Sequence, residues 1–278
     1  MRAYVPAYEM VVPRDLSDAL ELLTEKENPW RPLAGGTDLM VAFESGKLDH
    51  CRYISIAGLR ELRRIEVAED SVTVGALCTY SDVLRHPVLR AEFSLLAAAA
   101  SETGGVAIQS RGTLGGNIVN ASPAADTPPA LLVYDAEVEL TSARGSRWLA
   151  YRDFHTGYKK TRMAWSELLT RIRLRRLPGG IAAWPACFRK VGTRRAQAIS
   201  KVCFAGLRNR QSGETRIAFG SVAPVPLRCF STEAAIREGR DPAEALAAEL
   251  SPIDDLRSTK EYRGRVAVNL LLQFLEAA

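Results

Sequence analysis

Two short segments set adjacent glycines among small polar residues: Leu33-Ala34-Gly35-Gly36-Thr37-Asp38-Leu39, and Thr113-Leu114-Gly115-Gly116-Asn117-Ile118-Val119-Asn120-Ala121-Ser122. A glycine pair admits positive φ, and without Cβ atoms its backbone N–H groups can closely approach a bound oxyanion. Thr37, Thr113, Asn117 and Ser122 add side-chain donors beside the bends. The local pattern also fixes what surrounds the first bend. Arg31 to Ala34 reads as a short strand, and Thr37 to Phe43 as a polar cap leading into an apolar helix. Strand, glycine turn and helix in that order suit a pyrophosphate cradle. Neither segment has the G-x-x-x-x-G-K-[ST] spacing of a P-loop or the G-x-G-x-x-G of a dinucleotide turn, which weighs against an ATPase or an ordinary NAD fold. The alternative, glycines that only make tight turns, stays open at this point.

Asp126 follows the second segment. Its carboxylate can accept hydrogen bonds from ribityl or ribose hydroxyls, or can cap a helix beginning at Pro128. Asp38 would repel a phosphate, so it reads as a residue that holds the loop.

The chain has 278 residues, 47% hydrophobic and 25% charged, which predicts one large or two moderate globular domains and excludes collagen-like, coiled-coil and disordered architectures. No apolar run reaches the roughly 18 to 20 residues of a membrane span, and Met1 to Pro6 has no leader pattern, so a cytoplasmic protein is expected. Helices are predicted over Asp15 to Leu23, Tyr80 to Leu89, Leu95 to Thr103 and after Pro128-Pro129, with strands at Ile54 to Ile56, Ser71 to Leu77 and Val138 to Leu140. After Leu177-Pro178-Gly179-Gly180 the pattern changes to three strands, Phe188 to Val191, Ser200 to Leu207 and Arg216 to Val222, with a hairpin tip at Gln211-Ser212-Gly213. Helices follow, one capped by Ser231, one opened by Asp241-Pro242, and a last one carrying a Val266, Leu270, Phe274 stripe. A boundary near 178 is expected.

Lys and Arg number 37 against 32 Asp and Glu, a net +5 with pI near 9.0, which accommodates an anionic ligand or acidic partner. Arg171, Arg173, Arg175, Arg176, Arg189, Lys190, Arg194 and Arg195 alternate with apolar residues and lack aromatic platforms, so they read as a solvated strand face and no nucleic-acid partner is expected. Cys51, Cys78, Cys187, Cys203 and Cys229 are scattered, with no C-x-x-C, and read as small buried residues rather than metal ligands. His50, His86 and His155 are equally isolated, so no metal site is expected.

In these residues the sequence resembles the FAD-binding medium subunit of molybdenum hydroxylases, the xanthine dehydrogenase and carbon monoxide dehydrogenase family. Leu33 to Leu39 is similar to the family's first flavin loop, and Arg111 to Asn117 with Ser122 to Asp126 to its second. Phe154 to Thr161 and Glu167 to Thr170 look like the end of its flavin domain, Phe188 to Ser200 like the opening of its C-terminal domain, and Phe219 to Pro226 like a later strand and turn. The chain departs from the family at Ile108-Gln109-Ser110, where relatives carry an arginine, and at Thr103, where some carry an aromatic.

The resemblance implies an α+β fold: a two-part FAD-binding domain of the vanillyl-alcohol-oxidase (PCMH) type over 1–177, with subdomains of about 1–57 and 58–177, then a small three-stranded antiparallel sheet with helices over 178–278. It implies an oxidoreductase subunit that binds FAD through Leu33, Ala34, Gly35, Gly36, Thr37, Asp38, Leu39, Thr113, Gly115, Gly116, Asn117, Ser122 and Asp126, with Leu169 and Lys190 bordering the flavin. No residue is nominated as catalytic acid or base. Molybdopterin and iron–sulfur clusters are expected on partners, a large molybdopterin subunit and a small two-cluster subunit, arranged as a dimer of heterotrimers. The acceptor is NAD or another oxidant, NAD being favoured by Phe154-His155-Thr156-Gly157, and the complex is expected to be of the xanthine or N-heterocycle dehydrogenase type. Two alternatives stay open, a stand-alone flavin oxidoreductase of the same domain type and a non-catalytic nucleotide-binding scaffold.

Overall fold

The structure is a computed structural model that describes residues 7–48 and 50–277. The opening residues 1–6, read above for a leader, lie outside the described residues. It is a mixed α and β fold, as expected. A three-stranded parallel sheet places Arg52–Ser55 between Glu9–Val11 and Arg31–Leu33. An antiparallel five-stranded sheet follows in the order Ile65–Val67, Ser71–Gly75, Leu168–Arg175, Glu137–Ser142, Gly145–Ala150.

Local sequence explains most boundaries. Asp15 caps the Leu16–Leu22 helix by accepting from the Asp18 N–H. The long helix expected over Tyr80 to Leu89 is two, Tyr80–Arg85 and Pro87–Glu92, because Pro87 has no N–H to continue the first and its ring fits the first turn of the second. Val138 and Leu140 are fully buried on one face of their strand.

The C-terminal sheet has four strands, not three: Ala186–Val191, Val202–Arg208, Thr215–Gly220 and the two-residue Leu227–Arg228, too short to show periodicity in the sequence. Its two central strands are buried on both faces. Cys203, Ala205, Leu207 and Ala218 join the central core with the Pro128–Val133 helix, whereas Val202, Phe204, Ile217 and Phe219 pack with Ala267, Leu270, Leu271 and Phe274 of the Lys260–Ala277 helix. Successive strand side chains point to opposite faces, so one strand serves two cores. The expected stripe on the last helix is therefore core, with its centre shifted from Val266 to Ala267 and Leu271.

Ser231 does not cap its helix, which begins at Phe230; Glu249 instead accepts from the Ser231 and Thr232 N–H groups at 2.9 Å each. Asp241 caps the Pro242–Glu249 helix as expected. Cys78, Cys203 and Cys229 are buried, but Cys51 is exposed and Cys187 half-buried, which corrects the uniform reading of the cysteines. No group of three metal-ligating side chains, and no helix long and apolar enough to cross a membrane, occurs among the described residues.

Candidate functional site

At the end of Arg31–Leu33 the chain turns through Gly35 and Gly36 into the Leu39–Glu44 helix, and the two glycines do different work. A Cβ on Gly35 would lie 2.0 Å from the Arg111 carbonyl oxygen and 3.2 Å from the Gly112 Cα. Only glycine lets the two loops touch there. Gly36 has φ +75°, and the one atom within 4 Å of a Cβ built on it is the Met40 Cγ at 3.8 Å. That side of the bend is open. The N–H groups of Gly36, Thr37 and Asp38 enter no hydrogen bond among the described residues, and the Asp38 side chain makes no cap bond. Three adjacent donors beside open space suit an anionic group.

The second loop divides its glycines in the same way. Gly115 is buried, and a Cβ there would lie 2.6 Å from the Ala76 Cβ; its N–H donates to the Ala76 carbonyl at 2.8 Å. Gly116 is exposed, and its N–H donates to the Thr113 Oγ1 at 3.1 Å, the N-cap of the Leu114–Val119 helix. Asn117 is half-buried, accepts from the Thr127 Oγ1 at 2.5 Å and hydrogen-bonds the Tyr80 phenol, whose pKa burial pushes up. Asp38 accepts from the Asn120 Nδ2 at 2.7 Å, and the Lys159 Nζ donates to the Asn120 Oδ1 at 2.6 Å. The Asp38 carboxylate thus ties one glycine loop to the other.

Beyond Ser122, whose Oγ accepts from the Ala124 N–H at 3.3 Å, the chain reaches Asp126, 7% exposed. Lys190 Nζ donates to Asp126 Oδ2 at 2.6 Å and to the Glu102 carbonyl at 2.9 Å, and the Ser200 hydroxyl donates to Asp126 Oδ1. Burial pushes the Asp126 carboxyl up, and the Lys190 ammonium opposes it. Asp126 does not cap the Pro128–Val133 helix; Thr127 stands at the N-cap. Leu33, Ala34, Thr37 and Leu39 are half-buried along the first loop. Leu169, 3% exposed, lies in the central core beneath the Leu114–Val119 helix.

A third glycine pair, Gly104-Gly105, escaped the sequence reading although it has the same signature. Gly104 has φ +60°, and a Cβ on Gly105 would lie 2.4 Å from the Gln197 Nε2. It follows Glu102, the residue whose carbonyl accepts from Lys190. Tyr80, Asn120, Lys159 and Ser200 were not singled out as site residues, because only long-range packing brings them here. The arginines of 171 to 175 are not a free cationic face: Arg171 pairs with Glu139 at 2.6 Å, and Arg173 and Arg175 pair with Glu137 at 2.9 and 3.4 Å. Arg173 also stacks 4.0 Å from the Trp148 ring centroid. Lys190, placed with the solvated residues by its neighbours, has a side chain only 1% exposed. His155 is structural, with its Nε2 2.9 Å from the Ile118 carbonyl, and burial pushes its pKa down.

Comparison with known proteins identifies the family. Residues 6–176 match the family described as the FAD binding domain in molybdopterin dehydrogenase, and residues 187–278 match the CO dehydrogenase flavoprotein C-terminal domain. The chain is 31% identical to the xanthine dehydrogenase FAD-binding subunit of Escherichia coli O157:H7, over 89% of this chain and 88% of that one. It is 29% identical to the glyceraldehyde dehydrogenase medium chain of Sulfolobus acidocaldarius, over 99% of this chain and all of its relative, 100%. Its fold superposes on a carbon monoxide dehydrogenase chain from Hydrogenophaga pseudoflava with TM-score 0.90 and 26% identity, covering 99% and 98% of the two chains.

Proposed function

The chain belongs to the FAD-binding subunits of the molybdopterin dehydrogenases, the xanthine and carbon monoxide dehydrogenase family, and from that premise we propose that it is the electron-transfer subunit of a molybdopterin hydroxylase. In this role it receives electrons from iron–sulfur clusters of a small partner and delivers them to NAD or another acceptor, while a large molybdopterin partner oxidises substrate. The xanthine or N-heterocycle type is favoured, because a xanthine dehydrogenase subunit is among the relatives above 30% identity. We assign residues 1–177 to the FAD-binding domain and 178–278 to the C-terminal domain, and the complex to a dimer of heterotrimers.

The residues fit the cofactor. The observation that carries this reading is the set of N–H groups at Gly36, Thr37 and Asp38 that enter no hydrogen bond among the described residues, on a bend open beside Gly36 and tied to the second glycine loop through Asp38 and Asn120, a donor set matched to a diphosphate. Thr37, Thr113, Ser122 and the backbone of Leu33, Ala34 and Leu39 shape the same groove, in which Gly35 and Gly115 set the spacing of its walls. FAD, when bound, supplies one- and two-electron redox chemistry that no side chain here offers. We assign the buried pair of Lys190 and Asp126 to the neighbouring wall, with the ammonium in place to favour negative charge and the carboxylate keeping that ammonium paired. No described residue is required as an acid or base. The scaffold alternative has no support in the unused donors, and the stand-alone oxidoreductase none in the second domain, which matches the CO dehydrogenase flavoprotein type.

The test is reconstitution of the complex with its two partner subunits, using FAD-loaded and flavin-depleted chain. NAD reduction driven by substrate should require the loaded chain at one FAD per chain; equal rates with depleted chain would overturn the assignment.

A further inference from the structure

Ser221 is a serine in the left-handed region, φ +67°, directly after the Thr215–Gly220 strand. A non-glycine residue pays for that conformation unless its surroundings fix it. Here every polar group of Ser221 is used. Its N–H donates to the Pro123 carbonyl at 2.8 Å, its Oγ donates to the Ser200 carbonyl at 3.0 Å, and its own carbonyl accepts from Arg263 Nη1 at 3.0 Å. Pro123 and Ser200 flank Asp126 on both sides: Pro123 begins the segment that carries it, and the Ser200 hydroxyl donates to its carboxylate.

Arg263, in the first turns of the last helix, has a side chain only 4% exposed, and no substrate or ligand role accounts for burying a guanidinium there. Its Nη1 also donates to the Lys201 carbonyl at 2.8 Å, its Nη2 donates to Asp255 Oδ1 at 2.8 Å, and its Nε has no partner. An incompletely satisfied buried cation is costly. What it achieves is to clamp two backbone carbonyls, of Lys201 and Ser221, at the ends of the two strands that press on residues 122–126. The chain of contacts runs Asp255, Arg263, Ser221 and Ser200 to Asp126, with Lys190 on the carboxylate's other oxygen.

We propose that Arg263 and Ser221 are positioning residues of the flavin site, which hold Asp126 and through it Lys190 in place although neither touches the ligand groove. This rests on the reading of Asp126 and Lys190 as the wall of that groove. A purely structural Arg263 would stabilise the C-terminal sheet without affecting the affinity of the folded chain for FAD.

The experiment is a double-mutant cycle on the full-length, deflavinated chain, titrated with FAD by flavin fluorescence, with circular dichroism confirming that each variant is folded. Arg263→Lys, Ser200→Ala and the pair are compared, and Asp255→Asn substitutes for Arg263→Lys if that variant does not fold, because it releases Arg263 from outside the clamp. Each single change is expected to weaken FAD binding about tenfold, and the pair no more than either alone, because both break one chain of contacts. Ser221→Gly should keep the backbone conformation but lose the tie to Ser200, and so should also weaken binding. Losses that multiply in the double variant, or folded Arg263 variants with wild-type FAD affinity, would overturn the proposal. Asp126→Asn separates the two readings: if it leaves FAD affinity unchanged, the groove wall itself is wrongly assigned, whereas a weakened Asp126→Asn beside an inert Arg263→Lys rejects only the positioning role.

Discussion

Replacing Gly35 by alanine probes the contact that sets the distance between the two glycine loops. A Cβ at that position would lie 2.0 Å from the Arg111 carbonyl oxygen, 1 Å inside the 3.0 Å approach that real Cβ atoms respect. The first loop or the second must move by about that amount, and such overpacking costs about 1–3 kcal/mol. Where the cost falls follows from the fold. The Leu39–Glu44 helix behind Gly35 contributes no buried residue, so the first loop can swing away from Arg111 without opening a core. In the ligand-free chain the strain is then relieved, and it returns when a diphosphate draws both loops together. At roughly 1.4 kcal/mol per tenfold, Gly35→Ala should weaken FAD binding by about 5- to 150-fold, while the melting temperature of the apo-chain moves little. Flavin fluorescence titration and calorimetry of the deflavinated chain measure the two quantities. Wild-type affinity in Gly35→Ala, or a loss confined to apo-chain stability, would refute the closure argument.

Three further outcomes follow from the same geometry. Asp38→Ala removes the tie to Asn120, a hydrogen bond to a charged group worth about 1.5–3 kcal/mol, and should weaken FAD binding without changing the flavin absorption spectrum; an unchanged affinity in the same titration contradicts the role of this tie. Lys190→Met leaves the Asp126 carboxyl buried without its cation, at a cost of about 3–5 kcal/mol. Burial, no longer opposed by the ammonium, then raises its folded-state pKa further above the unfolded value near 3.8, so relative to wild type the variant should be least destabilised below that value and lose stability as pH rises, which melting curves at about pH 3.5 and pH 8 test. Burial opposes ionisation of Asp255 as well, but the Arg257 and Ser258 N–H groups and the Arg263 guanidinium outweigh it and hold the carboxyl at about 2. Its stabilisation is complete above the unfolded value near 3.8 and lost as pH falls toward 2, so acid unfolding of Asp255→Asn should lack a component that wild type shows in that window.

What the sequence revealed of this site was chemistry, and what it concealed was pairing. The glycine pairs at 35 and 115 and the polar residues beside them were legible because a glycine's freedom is local. Which glycine of each pair faces the groove was not, since that depends on Arg111 lying against Gly35 and Ala76 against Gly115. Pro87 dividing two helices and Asp241 opening another could be read directly, again from local effects. Asp126 stood out as a carboxylate after the second loop, but its partners Lys190 and Ser200 lie 64 and 74 residues away, and only the closure of the C-terminal sheet brings them together. The arginines of 171 to 175 show the same division: alternation predicted the solvated strand face they occupy, while the Glu137 and Glu139 partners that neutralise it sit on a neighbouring strand and could not be read. The fourth strand of the C-terminal sheet, two residues long, is set by pairing with Ala218 and Phe219 and has no pattern of its own.

The most direct measurement is an experimental structure of the chain with FAD bound. The diphosphate should accept hydrogen bonds from the backbone N–H groups of Gly36, Thr37 and Asp38 in the first loop, with Gly116 and Asn117 closing on its other side. A diphosphate bound at any other part of the chain, with those three N–H groups facing only solvent, would contradict the assignment of this groove.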